Sequence, residues 1–132
     1  MKTILPYQYF VWLYYVSFAG VITTVYACYK KLYYTAIIAP GAVMITSINY
    51  WRRPDYSWRR YHDIVQVVYA LFYQLSHLRL CTLYYIFLMA SIWLFVKGVY
   101  HFKRRELGIS TYYHFVFHLS SQVGNIILYR CN

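Results

Sequence analysis

Two histidines in the last apolar stretch have the spacing of a helical metal site. His114 and His118 are four residues apart, so on a helix both imidazoles lie on one face. Paired histidines at this spacing bind metal ions in helical His-x3-His sites. The same spacing is also typical of core histidines that only form hydrogen bonds, so the pair alone leaves both interpretations open.

Two further residues could take part in such a site. Asp63 is the first residue of another apolar run, and Ser47 lies near the end of the run before it. A carboxylate can act as a general base toward water, and a hydroxyl can orient it. A shared site requires that all four side chains lie at one depth of the molecule: Ser47, Asp63, His114 and His118.

The composition indicates the elements that must position these residues. Apolar residues make up 61% of the 132 residues and charged residues 12%, against roughly 45–50% and about 25% in soluble domains. Charge-free runs of about 20 residues match the thickness of a bilayer. We therefore predict one all-α domain over residues 1–132, a polytopic transmembrane helix bundle.

Five spans are predicted, with approximate bounds 6–29, 32–51, 63–78, 80–100 and 109–129. Pro40 and Gly41 predict a kink in the second span. The third run has 16 residues from Asp63 to Leu78, about 24 Å of helix, which is short for a bilayer. A bundle of four spans is therefore the alternative.

The net charge of +10 indicates orientation rather than nucleic-acid binding, because the basic residues cluster at the ends of apolar runs. With five spans, nine basic residues lie on the side of the N-terminus and four on the other side; with four spans the split is seven against six. The positive-inside tendency favours five. It places the N-terminus and the basic turns 52–60 and 103–105 in the cytoplasm, and Gly108 is expected to end the second turn.

Three cysteines without a CxxC pair predict neither a disulfide framework nor a cysteine metal site. The glutamines and asparagine of the spans are expected to join helices by hydrogen bonds. His62 and His101 are expected in solvated turns. Asp55 is expected to pair with an arginine of the turn RRPDYSWRR.

The order of these residues resembles a known family. A serine near the end of one span, an aspartate at the start of the next and the motif HFVFH (His114 to His118) are similar to the alkaline ceramidase and adiponectin-receptor-like membrane hydrolases. The turn VYHFKRRELG is also similar to the turn before that family's final span. The family usually has seven spans.

The resemblance implies zinc as cofactor, with His114 and His118 as two ligands, Asp63 acting on the zinc-bound water and Ser47 as a nearby hydrogen-bonding partner. The family's first ligand follows its serine by four residues, where this chain has Trp51; His62 is the candidate substitute. The implied reaction is hydrolysis of a lipid amide or ester near the cytoplasmic face. The alternative is a non-enzymatic membrane scaffold or subunit, with membrane lipids, further copies or other membrane subunits as partners.

Overall fold

A computed structural model describes residues 2–132 as a bundle of α-helices with one π-helical segment, Ile37–Gly41. The helices are α1 (Tyr7–Ser17), α2 (Gly20–Tyr29), α3 (Tyr33–Ala36), α4 (Ala42–Trp51), α5 (Trp58–His77), α6 (Thr82–Lys103) and α7 (Leu107–Arg130). The predicted all-α class is confirmed for this part of the chain.

Two helices are long and apolar enough to cross a membrane. They are Tyr7–Tyr29, which runs through α1 and α2, and α6, with mean hydropathies of 1.5 and 1.6. Pro6 is the N-cap of α1, where its missing N–H costs nothing. Membrane crossing is thus supported at two of the five predicted spans, and the complete five-span bundle is not confirmed.

The kink predicted in the second apolar run falls on the π-helical segment, which contains Pro40. Proline lacks the N–H that would continue the α-helical ladder. Gln66 on α5 donates from Nε2 to the Ile38 carbonyl oxygen at 2.8 Å. A neighbouring side chain thus satisfies a carbonyl within the irregular segment, as is required away from water.

Helix α5 begins five residues before the third predicted run. Its 20 residues from Trp58 correspond to about 30 Å of helix, enough to match a hydrocarbon core. The arginines that mark the turn in the sequence, Arg59 and Arg60, therefore already belong to the helix.

Small residues allow α6 and α7 to approach closely. The Ser110 hydroxyl donates to the Gly98 carbonyl oxygen at 2.7 Å, and Ser91 and Ser120 are hydrogen-bonded at 3.0 Å. Gly124 lies against Phe87, where an added Cβ would be 3.3 Å from the phenylalanine Cβ. Such residues are typical of helix contacts in membranes.

The helices pack in a fixed order. α7 packs between α6 and the α1–α2 column, which also contacts α4, and α5 packs on α4 and the π-helical segment. One buried cluster contains Leu13, Tyr50 and Trp51. A second, at the other end, contains Tyr84 and Tyr129.

Two helices end in Schellman motifs whose left-handed residue is basic. Lys31 has φ 61° after α2 and Arg105 has φ 59° after α6. In the second motif the Glu106 N–H donates to the His101 carbonyl oxygen, as this motif requires. Gly108 does not end the turn, because α7 begins at Leu107 and the turn is closed by Arg105.

Candidate functional site

The first half of the predicted site is a hydrogen-bonded group between α4 and α5. Ser47 Oγ donates to Asp63 Oδ1 at 2.8 Å, and Thr46 Oγ1 donates to the same oxygen at 3.0 Å. Both hydroxyl residues are buried. The structure therefore brings Ser47 and Asp63 together and adds Thr46. The signal in the sequence that could have identified Thr46 is its position directly before Ser47.

The second half is the histidine pair on α7. The ring centroids of His114 and His118 are 5.1 Å apart. His114 also contacts the rings of Trp51, at 5.1 Å, and Phe95, at 6.1 Å. The pair thus lies in an aromatic environment built by α4, α6 and α7.

Helix α4 connects the two halves. Ser47 and Trp51 are four residues apart on it, so Trp51 lies about 6 Å further along the helix axis than Ser47. Since Ser47 contacts Asp63 and Trp51 contacts His114, the carboxyl group and the imidazole both lie beside the C-terminal half of α4.

One nitrogen of the pair has no partner. His118 Nε2 is buried and makes no hydrogen bond within residues 2–132. A buried polar atom without a partner is unfavourable and is often found where a ligand binds. This atom is the strongest pointer to a ligand in the described chain.

The third predicted metal ligand lies elsewhere. His62 is exposed, and its ring contacts Trp58 one turn earlier on α5 at 5.9 Å. Within residues 2–132, no group of three histidine, cysteine, aspartate or glutamate side chains is arranged to hold a metal ion. Two imidazoles are in contact, and Trp51 occupies the position where the resemblance expects the other histidine.

Further polar side chains form hydrogen bonds between helices, as the sequence predicts for the amides. Thr23 Oγ1 donates to Gln122 Oε1 at 2.6 Å, and Gln74 Nε2 donates to Asn125 Oδ1 at 3.3 Å. The Tyr129 hydroxyl donates to Gln74 Oε1. Thr23 and Tyr129 could not be identified from sequence as partners, because nothing in their positions distinguishes them from the other threonines and the nineteen tyrosines of the chain.

The basic turn before α5 is organised around Arg59. Its guanidinium forms an ion pair with Asp55 at 3.1 Å and donates to the carbonyl oxygens of Asn49 and Arg53 at 2.9 and 2.8 Å. Hydrogen bonds from Ser57, and next the Arg59 charge, hold the pKa of Asp55 below its usual value despite burial. The predicted partner of Asp55 is therefore Arg59, and this arginine is structural.

His101 is not the solvated turn residue that the sequence predicts. Its Nδ1 lies 3.0 Å from Glu106 Oε2, and its ring stacks on Tyr113 at 5.3 Å. The Schellman motif explains the difference, because it folds Glu106 back over the end of α6. The local sequence alone does not show this turn geometry.

The far end of the bundle carries a disulfide that the sequence does not predict. Cys81, before α6, is bonded to Cys131, after α7, while Cys28 is free. Asn132 reinforces the link, since it accepts from the Arg79 N–H at 2.8 Å and donates to the Arg79 carbonyl oxygen at 2.9 Å. The two cysteines are 50 residues apart, and only the antiparallel packing of α6 and α7 brings them together.

No protein-family model, curated protein or solved structure matches this chain. The geometry of the described residues therefore carries the functional argument.

Proposed function

We propose that this chain is a five-span membrane protein that acts as a non-catalytic scaffold or subunit of a membrane complex. The observation that carries the proposal is the distribution of side chains on α5. The inward face of this helix is polar, and the outward face is apolar.

The residues of α5 that form hydrogen bonds to the neighbouring helices are Asp63, Gln66 and Gln74. Gln74 is only 4% exposed, and the other two are half-buried. The outward residues include Val65 and Phe72, each 64% exposed. A helix at the surface of a soluble protein has the opposite pattern. This arrangement is favourable in a lipid bilayer, because exposing a polar side chain to acyl chains costs free energy and exposing an apolar side chain does not.

Other helices support the same setting. Only 17% of the most apolar 18-residue stretch of α6 is buried within the bundle, whereas the core helix of a soluble protein would be largely buried. On α7, Ser110, Thr111 and Gly124 are buried while Ile109, Tyr112 and Val123 are exposed. Contact with acyl chains accounts for both patterns.

The disulfide supports the predicted orientation independently of the charges. Disulfides persist in oxidising compartments and are rare in the cytosol. Cys81 and Cys131 are at the end opposite the turns 52–60 and 103–105. An orientation with those basic turns in the cytoplasm, as the charge count favours, leaves the disulfide on the oxidising side.

The pairing of interior polar groups supports a structural role for them. Hydrogen bonds connect α4 to α5, α2 to α7, α5 to α7 and α6 to α7. Each such bond between membrane helices contributes roughly 0.6–2 kcal/mol. These residues therefore hold the helices in place, and the outward aromatic surface is left for lipid and for other subunits.

Zinc-dependent hydrolysis of a lipid amide or ester is the second candidate. The unpartnered Nε2 of His118 and the contact of Ser47 with Asp63 favour it. The residues do not complete a zinc site, however, because catalytic zinc requires three protein ligands and two imidazoles are in contact here. We therefore derive no catalytic step through a metal.

Metal analysis of the protein purified in detergent separates the two candidates. The scaffold proposal predicts substoichiometric zinc, unchanged in the His114→Ala and His118→Ala variants. One zinc per chain, lost in both variants, would establish the hydrolase candidate instead.

The Trp51→His variant tests the missing ligand. Its side chain would start next to His114, since Trp51 and His114 are in contact. Zinc bound by this variant and not by the wild type would show that the pocket lacks one ligand. Trp51→Phe, which keeps an aromatic ring without a metal-binding nitrogen, is the matched control.

A further inference from the structure

A groove on the cytoplasmic end of α1 combines an apolar wall with one arginine. It has a volume of about 240 Å³ and is lined by Tyr7, Phe10, Val11, Tyr14, Tyr15 and Arg52. Five of these residues are on α1 and repeat every three to four positions, so they form one stripe along the helix. From Tyr7 to Tyr15 the stripe is about 12 Å long.

Arg52 is an exposed residue of the groove lining, and part of its guanidinium is available. Both of its hydrogen bonds within residues 2–132 use Nε, which donates to Asn49 Oδ1 at 3.1 Å and to the Asn49 carbonyl oxygen at 3.2 Å. The terminal nitrogens Nη1 and Nη2 can therefore donate to an external anion. Guanidinium binds phosphate in this way with two parallel hydrogen bonds.

The chain offers Arg52 no carboxylate. Its three acidic residues are engaged elsewhere: Asp55 with Arg59, Asp63 with Thr46 and Ser47, and Glu106 with His101 and Arg104. The N-terminal segment adds a further positive charge to the same turn, because the Ile4 N–H donates to the Pro54 carbonyl oxygen at 3.0 Å. This segment carries the exposed Lys2.

We propose that this groove binds one phospholipid with an anionic headgroup. The phosphate is held by Arg52 at the headgroup level, and one acyl chain lies along the stripe from Tyr7 to Tyr15. Charge complementarity selects the anionic headgroup, since clustered basic residues on the cytoplasmic side of membrane helices attract anionic lipids. The inference needs the membrane setting proposed above and is independent of whether the chain is catalytic.

Native mass spectrometry of the detergent-purified protein tests the site. The protein is incubated with equal amounts of dioleoyl phosphatidylglycerol and dioleoyl phosphatidylcholine, and the retained lipid is identified. We expect one phosphatidylglycerol per chain in the wild type. Arg52→Gln should lower its retention about fivefold, the effect of one basic residue at an anionic surface.

Two further variants separate the groove from general charge. Lys103→Gln removes an exposed charge from the other basic turn and should leave retention unchanged. Val11→Trp fills the groove without changing charge and should reduce retention, with an unchanged elution volume as the check on folding. Equal retention of both lipids by the wild type, or an Arg52→Gln variant like wild type, would overturn the proposal.

Inorganic phosphate distinguishes a lipid site from a simple anion site. Millimolar phosphate should not displace the long-chain lipid, and full displacement would contradict a bound acyl chain. Extraction of native membranes with alkaline carbonate tests the setting separately. A chain released by carbonate ends the membrane proposal, whereas a resistant chain without a preference for phosphatidylglycerol overturns the lipid site alone.

Discussion

Asp63 is the carboxyl group that this bundle holds between helices, and both of its observed donors come from α4. Ser47 and Thr46 converge on one of its oxygens. In the scaffold proposal this group fastens α5 to α4. A carboxyl group inside a bundle is unfavourable unless it is hydrogen-bonded, so the two hydroxyls are needed together.

Removing both donors should destabilise the bundle. We expect Ser47→Ala alone to lower the free energy of unfolding by about 1 kcal/mol, and Thr46→Val with Ser47→Ala to lower it by about 2 kcal/mol or more, because Asp63 is then left without a donor. Unfolding in mixed micelles, followed by tryptophan fluorescence, measures the difference. Ser76→Ala, an exposed serine on α5, is the control; a double variant as stable as wild type would show that the group is dispensable.

Protonation of Asp55 makes the stability of the turn before α5 depend on pH. Its folded-state pKa is depressed by hydrogen bonds from Ser57 and by Arg59. The resulting stability is therefore present above the unfolded pKa of about 3.9 and lost as the pH falls through the lower folded value. Wild type should melt above Asp55→Asn near neutral pH, and the difference in Tm should disappear in strong acid. A difference that grows on acidification would contradict this assignment.

At the residue scale, sequence reasoning identified residue types better than partners. Ser47, Asp63, His114 and His118 were singled out by type and spacing, and the structure places each pair in contact. His62 is exposed, as the sequence predicts, but it lies on α5 and not in a turn, because the helix already begins at Trp58. Consecutive residues on a helix point about 100° apart, so Asp63 faces inward and His62 outward.

At the element scale, close helix contacts depend on small residues at particular positions. Gly20 starts α2 opposite α4, and a Cβ built on it would be 2.8 Å from Met44 Cβ. Real Cβ atoms do not approach this closely, so one helix must move when the side chain is added.

Gly20→Ala should therefore destabilise the protein by about 1–3 kcal/mol. Gly108→Ala is the matched control, since a Cβ there would meet a tyrosine ring atom at an ordinary 3.7 Å and should improve helix propensity. Thermal unfolding of both variants in the same detergent gives the comparison. Equal melting temperatures would mean that α2 and α4 can separate without cost.

The existence of the helices could be predicted from charge-free apolar runs, whereas some bounds could not. The sequence gives no sign that Arg59 and Arg60 belong to α5, because arginines also occur in turns. Arg59 is accommodated in the first turn by Asp55 and two backbone carbonyls. These contacts depend on the folded turn and not on the local sequence.

At the scale of the whole molecule, the disulfide joins the turn between α5 and α6 to the end of α7. The sequence does not predict this disulfide, because the three cysteines are separated by 53 and 50 residues and form no recognisable motif. Only the pairing of α6 with α7 places Cys81 near Cys131. The same link makes the orientation of the bundle measurable.

Thiol labelling in sealed vesicles checks that orientation. In a Cys28→Ser background, Cys81 and Cys131 should resist a membrane-impermeant maleimide until an impermeant reductant is added on the non-cytoplasmic side. Labelling after reductant is added only on the cytoplasmic side would reverse the topology. Cys131→Ser should lower the stability by about 2–4 kcal/mol, since it releases the closed loop.

The inward polar face of α5 also has a consequence for biogenesis. Gln74 finds its partners on α7, 51 and 55 residues later in the chain, so they have not yet been synthesised when α5 leaves the ribosome. In the five-span membrane setting proposed above, this helix would have to wait at the translocon or in the interface with its amide unsatisfied. In that setting its stable integration depends on the arrival of the last helix, and assembly of the bundle is a late and cooperative event.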